Sequence, residues 1–169
     1  MSLPLKLKHF NLFNEGQNYL GQVSEIVLPK LTTKMEEYRG GGMDAPIDID
    51  LGMEKLSMEW TCGGYVKQAL TQYGMLTHNG AGLRFAGGLQ SEDLEAVKAV
   101  ELVVRGRHSE IDFGTAKPGD DTALKIITSL SYYKLTIDGE ELIEIDVVNM
   151  IKRIGGKDLL ENFRLALGL

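Results

Sequence analysis

The chain has 169 residues and a formal net charge of −6, with 24 acidic residues against 18 Lys and Arg residues. Binding of nucleic acid requires a basic surface that displaces counterions from the phosphates, so this acidic composition argues against a nucleic-acid-binding role. No run reaches the ~18 apolar residues of a membrane span, and no apolar signal-peptide core follows the lysines of residues 1–8. Cys62 is the single cysteine, which excludes an internal disulfide and predicts a small buried residue. We expect one domain over residues 1–169.

Alternation of apolar and polar residues dominates the first part of the chain. Residues 14–16 (Asn-Glu-Gly) separate two short apolar runs, 10–13 and 19–23, and predict a hairpin. Residues 55–62 alternate strictly and predict a strand with one buried face. Apolar residues then change to helical spacing, which predicts a short amphipathic helix at about 65–73 with Gly74 just beyond its end.

The second half of the chain also favours strands. Residues 100–104 alternate, and residues 106–121 are polar and rich in Gly and Pro, which predicts a loop. Residues 122–137 are β-branched and aromatic throughout, and they are too many for an average strand. The dipeptide Asp138-Gly139 predicts a tight hairpin turn into a strand over residues 142–148.

A short helix is predicted at the C-terminus. Asp158 and Glu161 have the spacing of a capping box, and Leu159, Leu160 and Phe163 would form the apolar face. Taken together, the patterns predict a mainly β fold, a sandwich or barrel-like domain with one packed helix and this short terminal helix.

We find no constellation that supports enzymatic chemistry, a cofactor or a metal. His9, His78 and His108 lack metal-ligand spacing, and solvated loop positions are the expected places for them. Residues 114–119 match the first half of a P-loop, but two aspartates follow where lysine and a hydroxyl residue are needed. Asp48, Asp50 and Gly52 match only part of a calcium loop, and an exposed strand face explains their alternation.

The unusual local feature is the glycine-rich segment at residues 38–43 (Tyr-Arg-Gly-Gly-Gly-Met). Glycines permit close backbone approach, and Tyr, Arg and Met are enriched at protein interfaces. Composition alone leaves two alternatives open, a flexible turn or an interaction loop.

Several segments, in order along nearly the whole chain, resemble the major tail tube proteins of contractile-tailed temperate phages and of R-type pyocins. The matching segments are residues 11–13 with Gly16, 28–31, 38–44, 131–135, 138–139, 144–146 and 167–169. The glycine-rich loop and the double-tyrosine strand together carry most of the specificity. The fold is also similar to that of the type VI secretion tube subunit.

The resemblance implies a structural virion subunit that forms hexameric rings, lends strands to a shared inner β-barrel, and stacks into a tube for DNA passage or envelope puncture. The partners that the resemblance implies are further copies of the chain, a tail sheath protein, and baseplate and terminator proteins. A tape-measure protein and transiting DNA would occupy the lumen without specific binding, no membrane would be contacted, and assembly would take place in the cytoplasm of a bacterial host. The family's ring-bridging loop falls on residues Tyr38, Arg39, Gly40, Gly41, Gly42, Met43, Asp44 and Pro46.

An acidic chain suits a channel through which DNA slides without sticking. The acidic residues suggested to face the lumen are Asp48, Asp50, Asp112, Asp120 and Asp121. A small-ligand-binding soluble β-barrel remains the alternative function, and it would show a pocket and a small oligomeric state.

Overall fold

The computed structural model describes all 169 residues, which form twelve strands and two short helices. The elements in chain order are β1 (Lys6–Asn14), β2 (Gln17–Asn18), β3 (Val23–Val27), β4 (Thr33–Tyr38), β5 (Ile47–Met53), β6 (Leu56–Cys62), α1 (Lys67–Thr71), β7 (Ala81–Gln90), β8 (Lys98–Asp112), β9 (Leu124–Ile137), β10 (Glu140–Asp146), β11 (Ile151–Ile154), β12 (Lys157–Asp158) and α2 (Glu161–Ala166).

Ten of the strands belong to one hydrogen-bonded antiparallel sheet in the order β12-β11-β10-β9-β8-β7-β1-β2. β6 pairs with the first half of β9 and β10 with the second half, while β3 lies outside β6. The register of β8 against β9 shifts twice, between Arg105 and Gly106 and between His108 and Glu110. Such irregularities bend long strands, and the sheet accordingly forms two facing layers without closing into a barrel.

The core lies between these two layers. The alternation predicted in residues 55–62 is confirmed, since Leu56, Met58, Trp60 and Cys62 are all buried in β6. They pack in one cluster with residues of β7, β8 and β9 and with Ala69 of α1. The mainly β, sandwich-like class predicted from the sequence is therefore confirmed.

Two predicted hairpin turns are present, and each uses a pair of positive φ angles. Glu15 and Gly16 have φ values of 48° and 82°, and Asp138 and Gly139 have values of 53° and 78°. Two successive positive φ angles define the type I′ turn, whose twist matches that of antiparallel strands. The helices α1 and α2 also fall where they were predicted.

Three local predictions were wrong. Residues 106–112, assigned to a loop, continue β8 to Asp112, because their backbone pairs with β9 despite a polar composition. The strand predicted over 142–148 ends at Asp146, and Val147 is exposed in the following turn. Asp158 does not cap α2, since it lies in β12 and forms an ion pair with Arg164.

No helix has the length and apolar character needed to cross a bilayer.

Candidate assembly surfaces

The β4–β5 hairpin is a separate two-stranded sheet. Its strands pair only with each other, from Thr33 opposite Met53 to Tyr38 opposite Ile47. Every residue of the two strands is exposed except Thr33 and Met53 at the base, which are half-buried. Isolated two-stranded hairpins are marginally stable in water, so this element needs a surface to pack against.

The register divides the hairpin into two chemically different faces. Tyr38 lies opposite Ile47, and Glu36 lies opposite Ile49, so these four side chains share one largely apolar face. The exposed fractions of Tyr38, Ile47 and Ile49 are 54%, 54% and 40%. Leu51, at the base of the same strand, is 50% exposed. We call this set the apolar hairpin face.

The opposite face of the hairpin is acidic. Glu37 lies directly opposite Asp48, and Asp50 lies opposite Met35. Like charges placed directly opposite each other destabilise a strand pair, so this face favours contact with water. The alternation of residues 47–51 was visible in the sequence, but the sequence analysis missed Ile47, Ile49 and Glu37 as surface residues. Their exposure follows from the hairpin's isolation, which has no local signature.

The glycine-rich segment forms the tip of the hairpin. The Arg39 Nε–H donates to the Met43 carbonyl at 3.1 Å, and the Met43 N–H donates to the Gly40 carbonyl at 3.2 Å. The Tyr38 hydroxyl lies over Gly40, 3.1 Å from where a β-carbon would stand. Gly42 has a φ of 87°, the conformation that favours glycine. The structure thus groups residues 38–46 at one exposed end of the molecule.

The five aspartates suggested for the lumen fall into two separate groups. Asp48 and Asp50 lie on the acidic hairpin face, beyond the Leu56 end of β6. The other three, Asp112, Asp120 and Asp121, lie at the opposite end. There Asp112 lies opposite Lys125 in the register of β8 and β9, and β6 ends beside Leu124. A seven-residue strand spans about 20 Å, so the subunit does not gather all five residues at one site.

An open apolar groove of about 840 Å³ lies between the base of the hairpin and α2. Met53, Leu56 and Ile145 form part of its floor, and Phe163 and Leu167 form part of its wall. Phe163 and Leu167 are each 63% exposed, and α2 has no buried residue. A six-residue helix is unstable on its own, which makes this groove a second candidate contact surface.

His108 is buried, so the prediction of a solvated loop position was wrong for this histidine. Its Nδ1 lies 2.9 Å from the Thr128 hydroxyl, and its Nε2 lies 2.9 Å from Oε1 of Gln72. The Thr128 hydroxyl also accepts from Trp60 Nε1 at 3.1 Å. Burial lowers the pKa of His108 to about 4.

The same network continues to β1 and α1. The side-chain amides of Asn14 and Gln72 bond each other reciprocally at 2.7 and 2.8 Å. Asn14 Nδ2 also donates to the Tyr19 hydroxyl at 3.1 Å. Every buried side-chain polar atom of the chain has a partner. Because the network is enclosed and satisfied, its geometry serves to fasten α1 to the sandwich.

The remaining reactive groups do not form a chemical site. Cys62 is buried and unpaired, and burial raises the pKa of its thiol to about 11, as expected for a structural cysteine. His78 is exposed, and its Nδ1 lies 2.8 Å from the hydroxyl of Ser131 in β9. His9 lies in β1, so its predicted place in a loop was wrong. No group of three or more potential metal ligands is present.

Comparison with known proteins finds matches that extend over nearly the whole chain. Residues 4–168 match the family model described as phage tail tube protein FII. The chain is 45% identical over 172 residues to the tail tube protein of Escherichia phage P2, with all of both chains covered. It is 39% identical over 176 residues to the major tail tube protein of Serratia phage KSP20, covering 100% of this chain and 99% of that protein.

Solved structures with the same fold come from contractile injection systems. A chain of the PVC sheath–tube complex in its extended state matches with a TM-score of 0.59 at 8% identity, over 79% of this chain and 91% of that chain. A chain of the tube-terminating cap of the anti-feeding prophage matches with a TM-score of 0.58 at 11% identity, over 81% and 92% of the two chains. At these identities the likeness concerns the fold alone.

Proposed function

The chain belongs to the phage tail tube protein FII family, and from this membership we propose that it forms hexameric rings that stack into the hollow tube of a contractile tail. Family membership makes it a structural, non-enzymatic component of a virion tail and confirms both the resemblance and the non-enzymatic function inferred from the sequence. We propose that residues 1–169 act as a single tail-tube domain, that DNA passes along the lumen, and that assembly takes place in the cytoplasm of the bacterial host.

The observation that carries the assembly proposal is the β4–β5 hairpin. Its apolar face is 40–54% exposed at Tyr38, Ile47 and Ile49, and its strands pair with no other strand of the subunit. Apolar residues concentrated on one exposed face typically mark a protein interface. The tip residues predicted to bridge stacked rings lie on this element, so the hairpin and its tip extend as one arm toward a neighbouring copy.

The acidic hairpin face supports the proposed lumen lining for Asp48 and Asp50. If the apolar face packs on a neighbour, the acidic face on the other side stays in water, as a DNA channel requires. Asp112, Asp120 and Asp121 lie at the other end of β6 and carry their own local contacts. In the tube they would form a second acidic ring at a different height.

The proposed protein partners follow from the solved relatives. One structural neighbour is part of a sheath–tube complex, and another is described as a sheath/tube terminator. We propose a sheath protein and a terminator as partners here also, with baseplate proteins and a tape-measure protein completing the tail. The small-ligand-binding alternative is set aside, because the family is one of tail tubes and the sheet does not close into a barrel.

Negative-stain microscopy combined with size-exclusion chromatography tests the proposal over a range of protein concentrations. We expect hollow tubes of six-subunit rings above a threshold concentration. Ile49→Ser on the apolar hairpin face should raise that threshold, and Asp48→Asn, one residue away on the acidic face, serves as the matched control. A species that stays monomeric at every concentration would refute the proposal.

A further inference from the structure

The core-facing side of the sheet is only partly covered within the subunit. Cross-strand partners form successive rows on this side, and burial decreases from row to row toward the β9–β10 turn. The row that contains Val104 and Tyr133 is buried, whereas Val100 and Leu135 farther along are half-buried. The sheet therefore extends beyond the strands that cover it.

This part of the sheet carries apolar residues in neighbouring rows that are half-buried or exposed, and we call it the apolar shelf. Its residues are Leu7, Phe10, Val100, Leu135, Ile143 and Ile154. Leu7 is 45% exposed and Ile154 is 38% exposed, although both lie on the core-facing side. The side chains of Leu7 and Val100 converge over Gly87, 2.6 and 2.8 Å from where its β-carbon would stand.

Two charged residues lie beside the shelf without an ion-pair partner. Lys98 lies opposite Leu89 in the row of Leu7, and Glu140 lies opposite Ile137 in the row of Val100. Neither belongs to any of the eight ion pairs within the chain. The shelf thus combines a basic and an acidic group at its border.

The apolar hairpin face has the opposite charges available. Glu36 lies within this face, opposite Ile49, and Lys34 lies two residues earlier on the same strand. Neither residue takes part in an ion pair within the chain. Glu36 can therefore pair with Lys98, and Lys34 with Glu140, when the two apolar surfaces meet. Two pairs of opposite sense favour one orientation of the hairpin over the reversed one, which would bring like charges together.

We propose that the apolar shelf of one subunit receives the apolar face of the β4–β5 hairpin of a neighbouring subunit, with Glu36 against Lys98 and Lys34 against Glu140. This inference rests on the proposed function, since it names the surface that the assembly arm contacts. The contact buries two apolar surfaces that the isolated subunit leaves in water, and it satisfies four otherwise unpaired charges.

The groove beside α2 is the competing receptor, and charge argues against it. Its border carries Asp50, Glu54 and Asp146, with Lys55 and Lys152. The hairpin between residues 33 and 53 is itself acidic, with Glu36, Glu37, Asp44, Asp48 and Asp50 against Lys34 and Arg39. An acidic arm entering a border with a surplus of carboxylates meets repulsion, whereas the shelf offers matched charges.

Site-specific cross-linking separates the two receptors. Glu36→Cys subunits are mixed with Lys98→Cys subunits in one sample and with Phe163→Cys subunits in the other, and a short bis-maleimide linker is added under tube-forming conditions. Cys62 is fully buried, so the wild-type chain serves as the unreactive control. We expect cross-linked dimers with Lys98→Cys and not with Phe163→Cys.

Charge reversal gives an independent measurement that needs no cysteine. Glu36→Lys and Lys98→Glu should each raise the concentration threshold for tubes by about tenfold, because like charges meet. The combined variant should return to near the wild-type threshold.

Cross-linking to Phe163→Cys alone, or tubes without either cross-link, would overturn the shelf as the receptor. A combined charge variant no better than the single variants would do the same. In both cases the proposed function of the chain as a tube subunit would be unaffected. A wild-type chain that never forms tubes would instead overturn the proposed function on which the inference rests.

Discussion

Acidification from about pH 7 to about pH 4 should destabilise the isolated subunit through His108. In the network, the Gln72 amide nitrogen donates to Asn14, so Gln72 Oε1 is the oxygen, which can only accept, and the His108 Nε2–H donates to it. Because the ring proton is on Nε2, Nδ1 is the acceptor, and the Thr128 hydroxyl, which accepts from Trp60, donates its own proton to Nδ1. The ring is thus held as the neutral Nε2–H tautomer. Protonation of Nδ1 would remove the acceptor of the Thr128 hydroxyl proton and place a positive charge in a buried site.

The magnitude follows from the difference between the folded and unfolded pKa values. Burial lowers the pKa of His108 from 6.5 to about 4. Between these values the unfolded chain binds the proton more readily, so the stability is fully present above pH 6.5 and is lost as the pH falls toward 4. Linkage gives a loss of about 2 kcal/mol by pH 5 and about 3 kcal/mol by pH 4. Tyr19, which also belongs to the network, stays neutral because burial raises its pKa.

Urea unfolding followed by far-UV circular dichroism at several pH values measures this loss, at concentrations below the assembly threshold. His108→Gln is the matched variant, because its amide retains one donor and one acceptor but does not titrate. The variant should be less stable than the wild type at pH 7 yet lose less stability on acidification. Equal losses in the two proteins between pH 7 and pH 4 would refute the assignment to His108.

Two further predictions concern backbone geometry and the hairpin tip. A β-carbon on Gly106 would overlap the Ser129 carbonyl oxygen and lie 2.8 Å from its carbon, so Gly106→Ala should lower the unfolding free energy by about 3 kcal/mol or more. Gly41→Ala, which has open space around it, should change it by less than ~0.5 kcal/mol in the same urea titration. Replacing Arg39 and Met43 by alanine should leave the melting temperature unchanged but raise the threshold for tubes, because interface anchors of these types typically contribute ~2 kcal/mol or more. Tubes at the wild-type threshold would exclude the tip from the stacking contact.

Local sequence patterns predicted the elements whose structure depends on residues close together in the chain. The strict alternation in residues 55–62 has only one arrangement that buries Met58 and Trp60, and β6 adopts it. Asp138-Gly139 readily adopts the two positive φ angles of a type I′ turn, and the turn is present. The Gly155-Gly156 turn between β11 and β12 uses the same geometry, with φ values of 60° and 85°, and went unpredicted although its dipeptide permits it.

The misses depend on residues far away in the chain. The end of β8 reads as a polar loop, and only pairing with β9 makes it a strand. His108 is buried by Gln72 and Thr128, which lie 36 and 20 residues away. The exposure of Ile47 and Ile49 follows from the hairpin's lack of a partner strand, a fact of topology that alternation cannot express. The inter-ring role of residues 38–46, which composition left open, comes from the family resemblance and stays a prediction.

The position of the two apolar surfaces determines the kind of assembly they can support. The apolar hairpin face and the apolar shelf lie on different elements, so a contact between them joins unlike surfaces of two identical subunits. When two subunits share a single contact of this kind, each keeps one unused surface, whereas a twofold dimer would need both hairpins to exchange at once. A third subunit can add to either end, and the addition repeats until a ring closes or a helical stack grows. A single self-complementary apolar patch would favour a twofold dimer, whereas a hairpin face and a shelf on separate elements also allow the repeated addition by which a tube grows.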